Sequence, residues 1–306
     1  MKKFFKKTFS FFKAVIVFPK AVFSFLRRML NGKIVKFFLL PLFILIALRG
    51  CVYEPYIALK VNRLEVEALN WPKDVPQFKI GIISDIHAGN RPLENWRVTR
   101  AINRLNAEKP DIVFLLGDFV NGFGMASSMP PEQLAKILSN IKAPLGTFAV
   151  LGNHDIGFGS QKLIKPLEKS GVKFLRNDYA AINIGDSKFY VAGINFSFSK
   201  YYNFKRLFSK IPQDAPTILL MHSPEIFPAL PQEASVVFSG HTHGGQVRLP
   251  FVGALTKSHT IYPDNVEYGL LHSPRGVPIY VTSGIGTSGV TARLFCPPQI
   301  EIITLK

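Results

Sequence analysis

Aspartate, histidine and asparagine gather in five short blocks of this chain: Asp85-Ile86-His87, Gly117-Asp118, Gly152-Asn153-His154-Asp155, His222 and Gly240-His241-Thr242-His243. Imidazole nitrogen combined with carboxylate and amide oxygen, without sulfur, is a donor set that suits Mn, Fe or Zn. Taken singly, each residue is more often a satisfied core group or a turn former. Taken together they are not, because five of the seven histidines (His87, His154, His222, His241, His243) fall in these blocks, while His259 and His272 lie outside them. In an extended segment alternate residues share a face, so Asp85 with His87, and His241 with His243, can each offer two ligands to one ion. The glycines before Asp118, Asn153 and His241 allow tight turns and close approach.

Other chemistries lack their residues. The two cysteines, Cys51 and Cys296, provide neither a disulfide framework nor a thiolate cluster. The chain has no His-Glu-x-x-His helix of a zinc protease and no Gly-x-x-x-x-Gly-Lys-Ser/Thr phosphate loop.

The blocks come after short apolar runs: Phe78 to Ile83, Ile112 to Leu116, Phe148 to Leu151, Ile218 to Met221 and Val236 to Phe238. Such runs read as buried strands. Helical spacing over Leu93 to Leu105 and Glu132 to Ile141 makes the first half β-α-β-α-β. Runs at 181–184, 188–192, 246–249, 279–282 and 300–305 are expected as antiparallel strands. Ligands of an open α/β sheet collect at the carboxyl ends of its strands, so the five blocks are expected to converge there.

The formal charge of +17 is concentrated at the N-terminus, where residues 1–50 hold eleven Lys and Arg and no acid, leaving +6 for the remainder. Basic residues interleaved with phenylalanine suit the surface of an anionic membrane better than nucleic acid. The apolar run Phe37 to Leu48 falls short of the roughly 20 residues of a comfortable span, so spanning, signal-like and re-entrant modes all stay open. If it spans, the flanking charge places the N-terminus in the cytoplasm and the domain outside; a monotopic anchor leaves the domain on the cytoplasmic face. The expected organisation is a membrane-associating segment 1–49, a linker and lead-in strand 50–76, and an enzyme-sized domain 77–306.

The order Asp-x-His, Gly-Asp, Gly-Asn-His-Asp, His, Gly-His-Thr-His resembles the calcineurin-like metallophosphoesterase superfamily across residues 77–306. Gly240 to Gln246, Leu249-Pro250 and Ser283 to Gly286 resemble more narrowly its bacterial membrane-associated or exported phosphodiesterases. The resemblance implies a four-layer αββα sandwich of two mixed sheets. It also implies two divalent ions, with Asp85, His87 and His243 on one, Asn153, His222 and His241 on the other, and Asp118 between them. His154 would act as proton donor, and Asp155 would orient its ring. Asn90, Arg91, Arg248 and Arg293 are weaker candidates for binding substrate phosphate, and the loop Phe119 to Met129, with Phe123 and Met125, for contacting an acyl chain.

The expected function is hydrolysis of a phosphodiester or pyrophosphate bond at the bacterial inner membrane, with UDP-2,3-diacylglucosamine as one lipid-linked substrate. Membrane lipid is the expected partner, with no nucleic acid and no obligate protein partner. An exported enzyme acting on non-lipid diesters and a catalytically silent tethered metal-binding protein are the rival readings.

Overall fold

The computed structural model describes residues 35–89, 92–122, 128–199, 201–255 and 267–306. Most of the basic N-terminal segment, together with Asn90, Arg91, Phe123, Met125 and His259, lies outside them.

Two six-stranded mixed sheets form the frame. The first runs in the order β1 (Lys60–Val66), β14 (Gln299–Leu305), β2 (Lys79–Ile83), β3 (Ile112–Leu115), β4 (Thr147–Ala149) and β5 (Val172–Phe174). The second runs β12 (Gly269–His272), β13 (Pro278–Val281), β9 (Val236–Ser239), β8 (Thr217–Leu220), β7 (Ser187–Gly193) and β6 (Asp178–Ile184). A small ribbon joins β10 (Arg248–Leu249) to β11 (Gly253–Ala254).

Strands β3, β8 and β9 have no exposed residue, which is why their sequences read as unbroken apolar runs. Alternate side chains fill two different layers. Ile112 and Phe114 of β3 face the second sheet, together with Ile218, Leu220, Val236 and Phe238 from the opposite side. Val113 and Leu115 face outward onto the helices. Pro92–Ala107 offers Val98, Ala101, Ile102 and Leu105 at helical spacing, joined by Leu134 and Leu138 of Pro131–Leu138 and by Leu163, Ile164 and Leu167 of Ser160–Lys169. On the other outer face Leu219, Val237 and Ile279 pack with Leu207 of the short helix Phe204–Phe208. Three apolar interiors thus separate four layers, the αββα sandwich.

The second half departs from an all-antiparallel arrangement. Strands β6 and β7 are antiparallel, as are β12 and β13, but β7, β8, β9 and β13 run parallel to one another. The helix Phe204–Phe208 and the turn Phe227–Ala229 carry the chain back over the outer face before β8 and before β9, which makes successive strands parallel. Runs as short as Thr-Ile-Leu-Leu, buried on both faces, look the same in either direction. Strand β14 is antiparallel to β2 and parallel to β1.

The N-terminal region divides at Arg49, with Gly50–Lys306 forming one compact unit. A helical stretch covers Phe37–Ile57, long and apolar enough by mean hydropathy (1.9) to cross a membrane. Phe37, Phe38, Phe43 and Leu45 are 63–73% exposed, an apolar surface that suits a membrane better than water. Gly50 to Ile57 is no free linker: Gly50 O accepts from Arg293 N (2.8 Å), and the buried Glu54 carboxylate accepts from Cys296 N (3.1 Å).

The inter-sheet layer is pinned by aromatic contacts, with Phe189 stacked on Phe78 at 4.9 Å and lying 5.6 Å from Trp71. Phe189→Ala is expected to cost about 3–5 kcal/mol, read as a lower midpoint in equilibrium urea unfolding.

Candidate metal centre

The neighbouring strands β2, β3 and β4 end side by side, as do β8 and β9, and the loops after them carry all five blocks. The convergence is not achieved by pleat alternation. Asp85, His87, Asp118, His241 and His243 all have left-handed φ, between 42° and 72°, a region that side-chain-bearing residues seldom occupy. Strain of this kind persists only where surroundings enforce it. Here Asp85 N and His87 N bond to Gly117 O and Asp118 O (3.0 and 2.9 Å), while Ile285 N and Gly286 N bond to Ser84 O and Asp85 O (3.0 and 2.7 Å). Among the glycines before the blocks, Gly117 is left-handed at +89°, whereas Gly152 is extended and serves for space: a Cβ there would collide with Asp118 Oδ1.

Asp118 stands at the centre, 1% exposed. Its Oδ2 lies 3.5 Å from His87 Nε2 and 3.3 Å from His222 Nε2, and its Oδ1 accepts from His154 N (2.9 Å). On one side His243 Nε2 is 3.1 Å from His87 Nε2 and 3.6 Å from Asp85 Oδ1. On the other, His222 Nε2 is 3.1 Å from both Asn153 Oδ1 and His241 Nδ1. Three overlapping groups of donor atoms result, Asp85–His87–His243, His87–Asp118–His154 and Asp118–His222–His241, each close enough to hold one cation.

The donor chemistry fits metal. His222 Nδ1 faces Leu116 O at 2.7 Å, and a carbonyl can only accept, so this nitrogen carries the proton and in the neutral ring Nε2 presents a lone pair inward. At 3.1 Å at most one proton fits between His87 Nε2 and His243 Nε2, and His87 Nδ1 is buried without a partner. Without ions the groups are poorly reconciled. Burial drives His87 down to about 3, and burial with the His87 and Arg293 charges holds His243 well below its ordinary value. Burial and nearby Asp118 push Asp85 up to about 6, against the pull of His222. Burial also opposes charge on Asp118 and His222, but their mutual attraction wins: Asp118 is held below the usual carboxylate range and His222 is raised to about 9. A dry site that stabilises a proton beside Asp118 favours cations.

His154 lies beside the cage, its ring 4.7 Å from that of His87. Gly122 N donates to Nδ1 (3.2 Å), so in the neutral ring Nε2 carries the proton, toward Ser288 Oγ at 3.5 Å. Burial lowers its pKa, against the pull of Asp118. Asp155 differs from expectation: its carboxylate accepts from Asp118 N (2.8 Å), Phe119 N (2.7 Å) and Gly152 N (2.9 Å). It ties the loops after β3 and β4 together through their backbones instead of orienting the His154 imidazole, because backbone N–H groups occupy its oxygens.

The arginines divide. Arg293 has no exposed surface and donates to Gly286 O (2.9 and 2.6 Å), Ser283 O (2.7 Å) and Cys296 O (3.0 Å), with His243 Nδ1 at 3.5 Å. It faces the back of a cage residue, not a substrate. Arg248 is partly buried, donates to Gly244 O (2.9 Å) and lies 3.8 Å from Glu267. Sequence reasoning missed Arg97, buried and donating to Ile86 O (2.9 Å) and Ile285 O, and Phe196, whose ring lies 6.0 Å from both His222 and His241. Arg97 sits on a helix face that reads as polar, and Phe196 on a loop without motif; neither gives a signal.

The family profile described as calcineurin-like phosphoesterase matches residues 78–245. The chain belongs to this family. A metallophosphoesterase of Aquifex aeolicus is 33% identical over 81% of this chain and 92% of its own length. Bacillus subtilis YkuE, also described as a metallophosphoesterase, is 27% identical over 77% of this chain and 81% of its own. The UDP-2,3-diacylglucosamine pyrophosphatase LpxG of Chlamydia trachomatis is 28% identical, covering 79% and 89%. This calcineurin-like phosphoesterase is therefore a metal-dependent hydrolase, of a family that uses two divalent ions.

Asp155→Asn replaces an acceptor by an amide group that faces an N–H. A loss of about 1–3 kcal/mol is expected, with less metal kept after dialysis, measured by urea unfolding and elemental analysis. Mn2+ at about one hundred times its dissociation constant is expected to add ~2.7 kcal/mol to the stability of the metal-stripped protein, visible as a higher Tm.

Proposed function

We propose that this phosphoesterase cleaves a phosphodiester or pyrophosphate bond at a membrane surface, with a lipid-linked nucleotide such as UDP-2,3-diacylglucosamine as substrate. The observation that carries the reading is the buried double donor set around Asp118 Oδ2 with the His154 ring beside it. The exposed apolar helix and the likeness to LpxG support the lipidic substrate.

In this reading Asp85, His87 and His243 would hold one ion and Asn153, His222 and His241 the other, with the Asp118 carboxylate between the two sets. Manganese, iron and zinc all suit these donors. When bound, the two ions supply a water acidified toward neutral pH and positive charge facing the phosphoryl oxygens. Asp118 offsets the repulsion between the two cation sites. His154, its Nδ1 held by Gly122 N–H, presents Nε2–H to the phosphoryl or leaving oxygen, and donates that proton as the bond to the leaving group breaks. Asp155 and Arg293 keep the loops fixed from behind, so the cage need not reorganise as charge develops.

The test is hydrolysis by the full-length protein with Mn2+ added. Bis-p-nitrophenyl phosphate is expected to be turned over, with Asp118→Ala losing at least about 10²-fold and His154→Ala about 10²–10⁴-fold. UDP-2,3-diacylglucosamine is expected to yield UMP. Full activity in Asp118→Ala would remove the mechanism; turnover of the simple diester without UMP release would leave an enzyme for non-lipid diesters.

A further inference from the structure

Shortly after the cage residue His243 the chain forms the hairpin of β10 and β11, whose sequence Leu249-Pro250-Phe251-Val252-Gly253-Ala254-Leu255 holds no polar side chain. Exposed turns are normally built from Gly, Asn, Asp, Ser and Pro. Here Phe251 is fully exposed, the most exposed large apolar side chain among the described residues, with Val252 at 69% beside it. The backbone adds to the anomaly. Val252 N donates to Leu249 O (3.2 Å) across a turn with proline second and a left-handed third position, φ 66°, where glycine or asparagine is usual. Phe251 occupies that position, and a fully exposed ring gains no packing to offset the strain.

The root of the hairpin lies where the apolar helix joins the domain. Val247 bridges to Leu294, and Arg248 N donates to Leu294 O (2.9 Å). On the same segment Arg293 N donates to Gly50 O (2.8 Å), and a Cβ at Gly50 would meet the Leu294 side chain at 3.7 Å. Val52, Tyr53 and Phe295 add exposed apolar surface on these two segments. Clustered apolar exposure marks contact with a protein or a membrane, and continuity with a helix that is itself apolar on its outside selects lipid.

We infer that the hairpin is a second membrane contact, with Phe251 and Val252 seated in the bilayer that holds the helix. At ~3.3 Å per residue the tip stands roughly 10 Å from Arg248. Interfacial elements bury ~5–10 Å into the boundary between headgroups and acyl chains, so a seated tip leaves the hairpin root at headgroup depth. The root borders the metal centre: the Gln246 amide accepts from Ser288 N (2.7 Å) and donates to Ser288 O (3.0 Å), and Ser288 Oγ lies 3.5 Å from His154 Nε2. Docking thus brings the catalytic side of the domain to the level of lipid phosphates. The inference rests on the membrane reading above, not on the identity of the substrate, and adds which face of the domain meets lipid.

The test uses the full-length protein in nanodiscs of phosphatidylethanolamine and phosphatidylglycerol. Cys51→Ser removes the exposed thiol and Cys296 is buried. An environment-sensitive fluorophore is then attached, in separate samples, at Phe251→Cys, at Leu45→Cys in the helix and at Asp186→Cys between β6 and β7, at the end of the second sheet away from the metal centre. The probes at 251 and 45 are expected to shift to shorter wavelength and to be quenched by nitroxide-bearing lipid, and the probe at 186 to be quenched by iodide. With the fluorophore moved to Val252→Cys, adding Phe251→Asp is expected to return it to iodide; lipid quenching that persists there would show the label seeking the bilayer and would overturn the contact. A probe at 251 in water while that at 45 is in lipid would overturn the hairpin contact and leave the membrane reading standing, whereas both in water would overturn both. Shielding at 251 only in discs that hold two copies would assign the tip to a second copy of the chain instead.

Discussion

Two carboxylates and four imidazoles share a dry volume in this protein, and only added positive charge reconciles them. Asp85 and Asp118 are at most 1% exposed, and His87, His222 and His243 are buried with them. Burying unpaired charge is among the costliest things a fold can do. Much else stems from meeting that demand: strands aligned so that their carboxyl ends meet, backbones held left-handed at five cage positions, and glycines where a Cβ would strike a ligand oxygen. The apolar interiors on either side of each sheet supply the stability that such a concentration of strain and charge requires.

Around the cage the supporting contacts run mostly from side chain to backbone. Asp155 grips three N–H groups, Arg293 three different carbonyls, and Arg97 two. Fixing loops in this way leaves the ligand atoms free to face inward, and imidazoles such as that of His222 are oriented by one outward hydrogen bond. The stretch Gly50 to Ile57 belongs to this supporting layer, since Glu54 holds Cys296 N, and Cys296 O is one of the carbonyls that hold Arg293.

The central strands, the helices Pro92–Ala107 and Pro131–Leu138 over the first sheet and the five blocks were legible because periodicity and residue type are local properties, whereas the helix Ser160–Lys169 was not read. Sheet direction in the second half was not, since the residues of Thr217–Leu220 and Val236–Ser239 carry no mark of the crossovers that lead into them over the outer face. The position of Asp155 was readable and its contacts were not, because a carboxylate beside a histidine suggests the ring, whereas the fold brings two amides from the preceding loop into reach. Arg293 misled for a similar reason: arginine is usually a surface residue, and only the folded chain shows a pocket of carbonyls closing around it. The left-handed ligands were invisible, since no glycine or asparagine announces them at Asp85 or His87.

The Asp155 clamp bears on how the work of holding the site is divided between the chain and its ions. Its three hydrogen bonds join the loops after β3 and β4 with protein atoms alone, so this joint needs no ion to form. A small zinc finger has little besides its ion to hold it; this domain has three apolar interiors of its own. What an ion adds is thus confined to the nitrogen and oxygen donors themselves, a set that several divalent metals satisfy, so the choice among them falls outside the scaffold.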